Sequence, residues 1–106
     1  MSLIDHTLLK PEATVTDLDN CITVAKQSKV KAMCIRPMDV LYSAKALSDS
    51  SVLLCTVIGF PHGTVTTQTK VQETIEAVSN GAIEVDMVMN LGAFASGNYQ
   101  LVQEDI

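Results

Sequence analysis

Val52-Leu53-Leu54-Cys55-Thr56-Val57-Ile58, followed by Gly59-Phe60-Pro61-His62-Gly63, is the stretch on which the fold turns. An uncharged, apolar and β-branched run reads as a strand covered on both faces, and the Gly- and Pro-rich segment behind it as the turn that ends it. The period then changes. Over residues 67–80, Val71, Ile75 and Val78 fall on one face of a helix with Lys70, Gln72, Glu73 and Glu76 elsewhere, and Asn80-Gly81 provides the C-terminal stop. Residues 82–89 return to a strand pattern. A buried strand, a helix and a second strand make a βαβ unit, which argues for a parallel sheet.

The same alternation runs upstream. Residues 31–35 form a short apolar run ending at Arg36-Pro37, with Pro37 placed to open a helix whose stripe is Val40, Ala44 and Leu47. Before it, Thr16 is expected to cap a helix with Leu18, Cys21, Ile22 and Ala25 at i, i+3, i+4 and i+7, and residues 3–7 to form a first strand stopped by Lys10-Pro11. Residues 91–98 read as a loop with two glycines, and residues 99–106 as the beginning of a helix. The order βαβαβαβ(α) fits either a closed barrel or an open doubly wound sheet, and periodicity does not separate them. A (β/α)8 barrel spends about 31 residues per unit, so this length corresponds to about 3.4 units of one. One domain over residues 1–106, with four strands and a fourth helix begun, agrees with half a TIM-type barrel.

Composition narrows the partners. Of 106 residues, 47% are hydrophobic but only four are aromatic, so the core must be built from aliphatic residues, Ala and Met. The net charge of −5, with no run of Lys or Arg, argues against nucleic acid or an anionic membrane as a partner. No apolar stretch approaches the roughly 20 residues of a spanning helix, and the first residues lack a signal-peptide layout. A cytoplasmic location is expected. Cys21, Cys34 and Cys55 are widely spaced without a CxxC pair, and His6 and His62 stand alone, so no metal site or disulfide framework is expected.

Two places could carry chemistry. In the fourth strand, alternation puts Glu84, Asp86, Val88 and Asn90 on one face, where carboxylates between flanking strands are costly and need a reason. That face would be a barrel's interior; an edge strand with its acids in water is the alternative. Asp5, in Asp-His-Thr at the end of the first strand, would lie at the rim where such folds build their sites, or else cap a turn. Cys34 reads as a buried thiol, since no base or cation accompanies it.

Four segments together resemble the deoxyribose-phosphate aldolases: Ile4-Asp5-His6-Thr7-Leu8-Leu9-Lys10-Pro11, Met33-Cys34-Ile35-Arg36-Pro37, Cys55-Thr56-Val57-Ile58-Gly59-Phe60-Pro61-His62-Gly63 and Gly81-Ala82-Ile83-Glu84-Val85-Asp86-Met87-Val88-Met89-Asn90. They stand in the family's order and at its spacing. The resemblance implies the N-terminal half of a TIM-barrel lyase. Such enzymes cleave 2-deoxyribose 5-phosphate, a small phosphorylated sugar, to glyceraldehyde 3-phosphate and acetaldehyde through a lysine Schiff base, in deoxyribonucleoside catabolism and without metal or cofactor.

By the same resemblance Asp86 matches the aspartate of the proton relay and Asp5 an acid of the surrounding polar network. Cys34 matches a thiol near the substrate, and Thr7 and Phe60 match pocket positions. The Schiff-base lysine, the lysine that tunes it and the phosphate loops belong to later strands of the family, so the 106 residues alone are expected to be inactive and truncated. Lys31 begins a strand at the wrong end, and Lys26, Lys29, Lys45 and Lys70 are expected on helix surfaces or ends. Lys10 lies in a loop at the rim, with no dry pocket or neighbouring cation to activate it. A half-barrel with open strand edges is expected to self-associate or to accept a complementary half, and a non-catalytic binding or assembly module is the alternative function.

Overall fold

A computed structural model describes residues 4–106. Four strands, β1 (Asp5–Leu8), β2 (Ala32–Ile35), β3 (Leu53–Ile58) and β4 (Glu84–Met87), form one all-parallel sheet in the order β1-β2-β3-β4. β2, β3 and β4 begin one or two residues after the apolar runs that mark them, and β1 ends at Leu8, one residue past its expected end. Residue 3, expected to open the first strand, lies outside the described residues.

The helices are α1 (Val15–Ser28), α2 (Val40–Ala46), α3 (Thr67–Ser79), α4 (Leu91–Ala95) and α5 (Tyr99–Asp105), with a 3-10 turn at Pro37–Asp39 leading into α2. Thr14 rather than Thr16 caps α1: its hydroxyl accepts from the Asp17 amide at 3.2 Å, and the Asp17 carboxylate accepts from the Thr14 amide at 2.8 Å. Thr16 also has an acid three residues on, Asp19, but it lies inside α1, whereas Thr14 has the extended backbone of a cap and closes the box with Asp17. Residues 91–98 are not a simple loop, because the Asn90 carboxamide oxygen accepts from the Ala93 amide at 3.0 Å and starts α4.

Side-chain alternation divides the sheet. Met33, Ile35, Leu54 and Ile58 point to one face and meet Leu18, Cys21, Ile22 and Ala25 of α1, Val40 of α2, the following Leu47, and Ala77 of α3 in a single buried core. The opposite face carries the smaller cluster of Cys34, Cys55 and Val57, with Leu9 against it. A doubly wound sheet reverses its strand order and places helices on both faces. Consecutive order with α1, α2 and α3 packed on one face is the progression of a barrel wall, so the second face is the barrel interior.

Two expectations about α3 are overturned. Val71, Ile75 and Val78, read as its core stripe, are all more than half exposed, whereas Ala77 and Lys70 are buried. Lys70, placed on the helix surface by its type, is 2% exposed. Its ammonium donates to the Val88 carbonyl at 3.0 Å and pairs with Asp105, which also accepts from the Thr67 hydroxyl at 2.6 Å. A lysine is tolerated in a core only when so paired. This strap ties α3, the chain just past β4, and α5 together. Beside it, the Gly59 amide donates to Glu73 at 2.7 Å, anchoring the end of β3 to the same helix.

Candidate active site

The register assigns the interior-facing residues. Asp5 pairs with Ala32 and Thr7 with Cys34; Cys34 pairs with Cys55; Cys55 pairs with Glu84 and Val57 with Asp86. Asp5, Thr7, Cys34, Cys55, Val57, Glu84 and Asp86 therefore line one side of the sheet. The two acids of β4 converge there as their spacing predicts. Asn90, expected to join them, is spent on capping α4. Asp86 is exposed rather than partly desolvated, since four strands leave the interior face open.

At the C-terminal ends of β1, β2 and β3, a cleft of 670 Å³ is lined by residues 7–11, Arg36, Phe60 and Pro61. Arg36 holds its floor together, donating from Nη1 to the Lys10 and Pro11 carbonyls at 3.3 and 3.1 Å and from Nε to Asp39 at 2.7 Å. The guanidinium thus fixes the loop after β1 against the end of β2. Thr7 and Phe60 share this cleft, whereas Cys34 and Asp86 lie deeper on the interior face, outside its lining. Gly63 closes the loop after β3: at φ +69° it adopts a left-handed backbone, and a Cβ there would stand 2.2 Å from the Met89 carbonyl oxygen.

The thiols occupy the dry part of the face, Cys34 being 3% and Cys55 2% exposed. Burial pushes the Cys34 thiol up; its hydrogen bond with Cys55 opposes this, and the charges of Asp86 and Asp5 reinforce it. Burial pushes Cys55 up further, aided by Cys34 and Asp86. Neither is an activated nucleophile, as expected for Cys34. Wide sequence spacing had hidden their adjacency: β2–β3 pairing brings Cys34 beside Cys55, and a donor atom from each lies within 4.8 Å of one another and of an Asp86 oxygen.

A deoxyribose-phosphate aldolase of Staphylococcus haemolyticus is 53% identical over 103 residues, which are 97% of this chain and 47% of that protein. Deoxyribose-phosphate aldolase 2 of Staphylococcus aureus is 55% identical over 104 residues, 98% of this chain and 47% of its own. In sequence and in fold, the chain is similar to the deoxyribose-phosphate aldolases. It spans about half the length of the curated relatives it matches. Among solved structures, QR15, an aldolase, matches 98% of the chain at a TM-score of 0.93 and 36% identity, and 46% of QR15 is covered. The tetrameric deoxyribose phosphate aldolase of Aeropyrum pernix matches 98% at 0.81 and 30% identity, with 47% of that chain covered. No family model matches the chain. Among the described residues, no helix is long and apolar enough to cross a membrane.

Proposed function

We propose that these residues form the N-terminal half of the active site of a cytoplasmic class I aldolase that cleaves 2-deoxyribose 5-phosphate to glyceraldehyde 3-phosphate and acetaldehyde. The observation that carries the reading is the convergence of Asp5, Thr7, Cys34 and Asp86 on one sheet face, where β-strands of a barrel present residues to a substrate. In this reading Asp86 exchanges the proton at the reacting carbon, through a water where the distance requires it. Asp5 supports the polar network, Thr7 and Phe60 shape the pocket, and Cys34 packs beside the substrate.

The nucleophilic partner of this chemistry is a lysine whose free amine condenses with the aldehyde, expelling water to form the Schiff base. Lys70 is committed to its buried ion pair, Lys26 to Asp49 at 2.8 Å, and Lys31 sits before β2, at the wrong end of the sheet. Lys10 stands exposed on the rim. In this reading, as the family resemblance implies, the lysine comes from the other half of the barrel.

Incubating the 11.4 kDa chain with acetaldehyde and borohydride is expected to leave its intact mass unchanged. A chimaera joining residues 4–106 to the remaining part of the Staphylococcus haemolyticus relative is expected to trap one adduct and to cleave the sugar phosphate. An adduct on Lys10 of the short chain, or an inert but folded chimaera, overturns the proposal.

The second half is also what the surface calls for. Val71, Ile75 and Val78 of α3 are exposed together, with Ile83 at 69% beside them in sequence, and the outer edges of β1 and β4 have no strand partner among the described residues. Paired edges and covered apolar faces lower the free energy of such a sheet, so the chain by itself is expected to associate. Sedimentation velocity should show dimers or larger species; a monodisperse monomer across the micromolar range would count against the half-barrel.

A further inference from the structure

We propose that Cys34, Cys55 and Asp86 form a binding site for a single thiophilic divalent cation, of which Zn²⁺ is the physiological example. The three side chains come from three neighbouring strands and point to one face, with their donor atoms mutually within 4.8 Å. Bonds of about 2.3 Å to sulfur and 2.0–2.2 Å to oxygen place tetrahedral donors roughly 3.5–4 Å apart, so closure asks for a contraction of at most about 1 Å, within the reach of χ1 rotations. Two thiols and one carboxylate make a soft set that favours Zn²⁺ or Cd²⁺ over Mg²⁺ or Ca²⁺. The two sulfurs are buried while the carboxylate is exposed, which leaves the fourth coordination position open to water from the barrel mouth.

Binding forms two sulfur–metal bonds and one oxygen–metal bond, and each thiol gives its proton to solvent, so two protons are released per ion. Asp5 and Glu84 are the other titratable groups on this face, and their negative charge favours the arriving cation. The pairing of thiols explains why isolated Cys21, packed in the helix-side core, takes no part. The site stands on geometry alone and does not depend on the aldolase reading. If that reading is also right, an occupied site withdraws Asp86 from proton transfer and the ion is an inhibitor, not a cofactor.

The test is titration of the reduced full chain with Zn²⁺ against a chromophoric chelator, and with Cd²⁺ followed by the thiolate-to-metal absorption band. Expected are one ion per chain, two protons released, and a loss of affinity on Cys34→Ser, Cys55→Ser or Asp86→Asn exceeding the roughly 10–100-fold effect of an outer-sphere partner. Cys21→Ser should bind as the parent does. Should either buried serine variant fail to fold by circular dichroism, Asp86→Asn, at an exposed position, still decides the matter. Binding that is unchanged in Asp86→Asn, a Cd²⁺ band that survives the removal of Cys34 and Cys55, or no stoichiometric binding overturns the site.

Discussion

Lys70→Met is expected to lower the stability of the chain by about 3–5 kcal/mol at neutral pH, the cost of leaving one member of a buried ion pair without its partner. Lys70 and Asp105 have side chains 2% and 3% exposed, and the lysine also satisfies the Val88 carbonyl. Methionine keeps the stem's volume and removes three donors. Asp105 would retain only the Thr67 hydroxyl. Urea unfolding measures the loss, and Lys70→Met combined with Asp105→Leu should recover much of it, because removing both charges removes the desolvation penalty as well. A single-variant loss below about 1 kcal/mol would mean the pair is effectively solvated.

The pH dependence has a definite sign. Hydrogen bonds from Lys70 first and Thr67 second hold the Asp105 carboxyl below its ordinary range, against burial, which pushes it up. A carboxyl depressed in the folded state contributes stability that is complete above its unfolded value, about 3.9, and is lost as pH falls through the folded one. The gap between the parent and Lys70→Met is therefore widest near neutrality and narrows below about pH 4.

That strap was hidden from the sequence for a physical reason. Lys70 and Asp105 are 35 residues apart, and a lone lysine on a helix carries no mark of a distant partner. The apolar periodicity of α3 was itself real, but it reported the wrong flank. Helices in a barrel pack against the sheet on one side and against neighbouring helices on others, so Val71, Ile75 and Val78 can form a stripe without touching these four strands. In α1 the stripe and the sheet-facing side coincide, and Leu18, Cys21, Ile22 and Ala25 are its buried residues. Strand alternation likewise put Glu84 and Asp86 on one face without knowledge of their neighbours. The pairing of Cys34 with Cys55 needed the register, a property of two strands together, and the role of Asn90 needed the turn after β4, which its place in an alternating pattern concealed.

Asp86→Asn in the chimaera is expected to lower kcat for cleavage of 2-deoxyribose 5-phosphate by about 10²–10⁴, the contribution of a positioned acid–base group, with a much smaller change in KM. Asparagine matches aspartate in shape and keeps one oxygen as an acceptor, so what is lost is the capacity to take and return a proton. The exposed position of Asp86 on β4 makes the substitution mild for the fold, and an unchanged urea midpoint would show that the defect lies in chemistry rather than stability. Asp5→Asn, two strands further round the interior wall than β3, should cost less, because its proposed part is to support the network rather than to carry the proton. A loss at Asp86 smaller than tenfold would move the proton relay elsewhere on the interior face. Equal losses at Asp5 and Asp86 would instead mean that the two acids act as one unit, since groups sharing a step do not contribute additively.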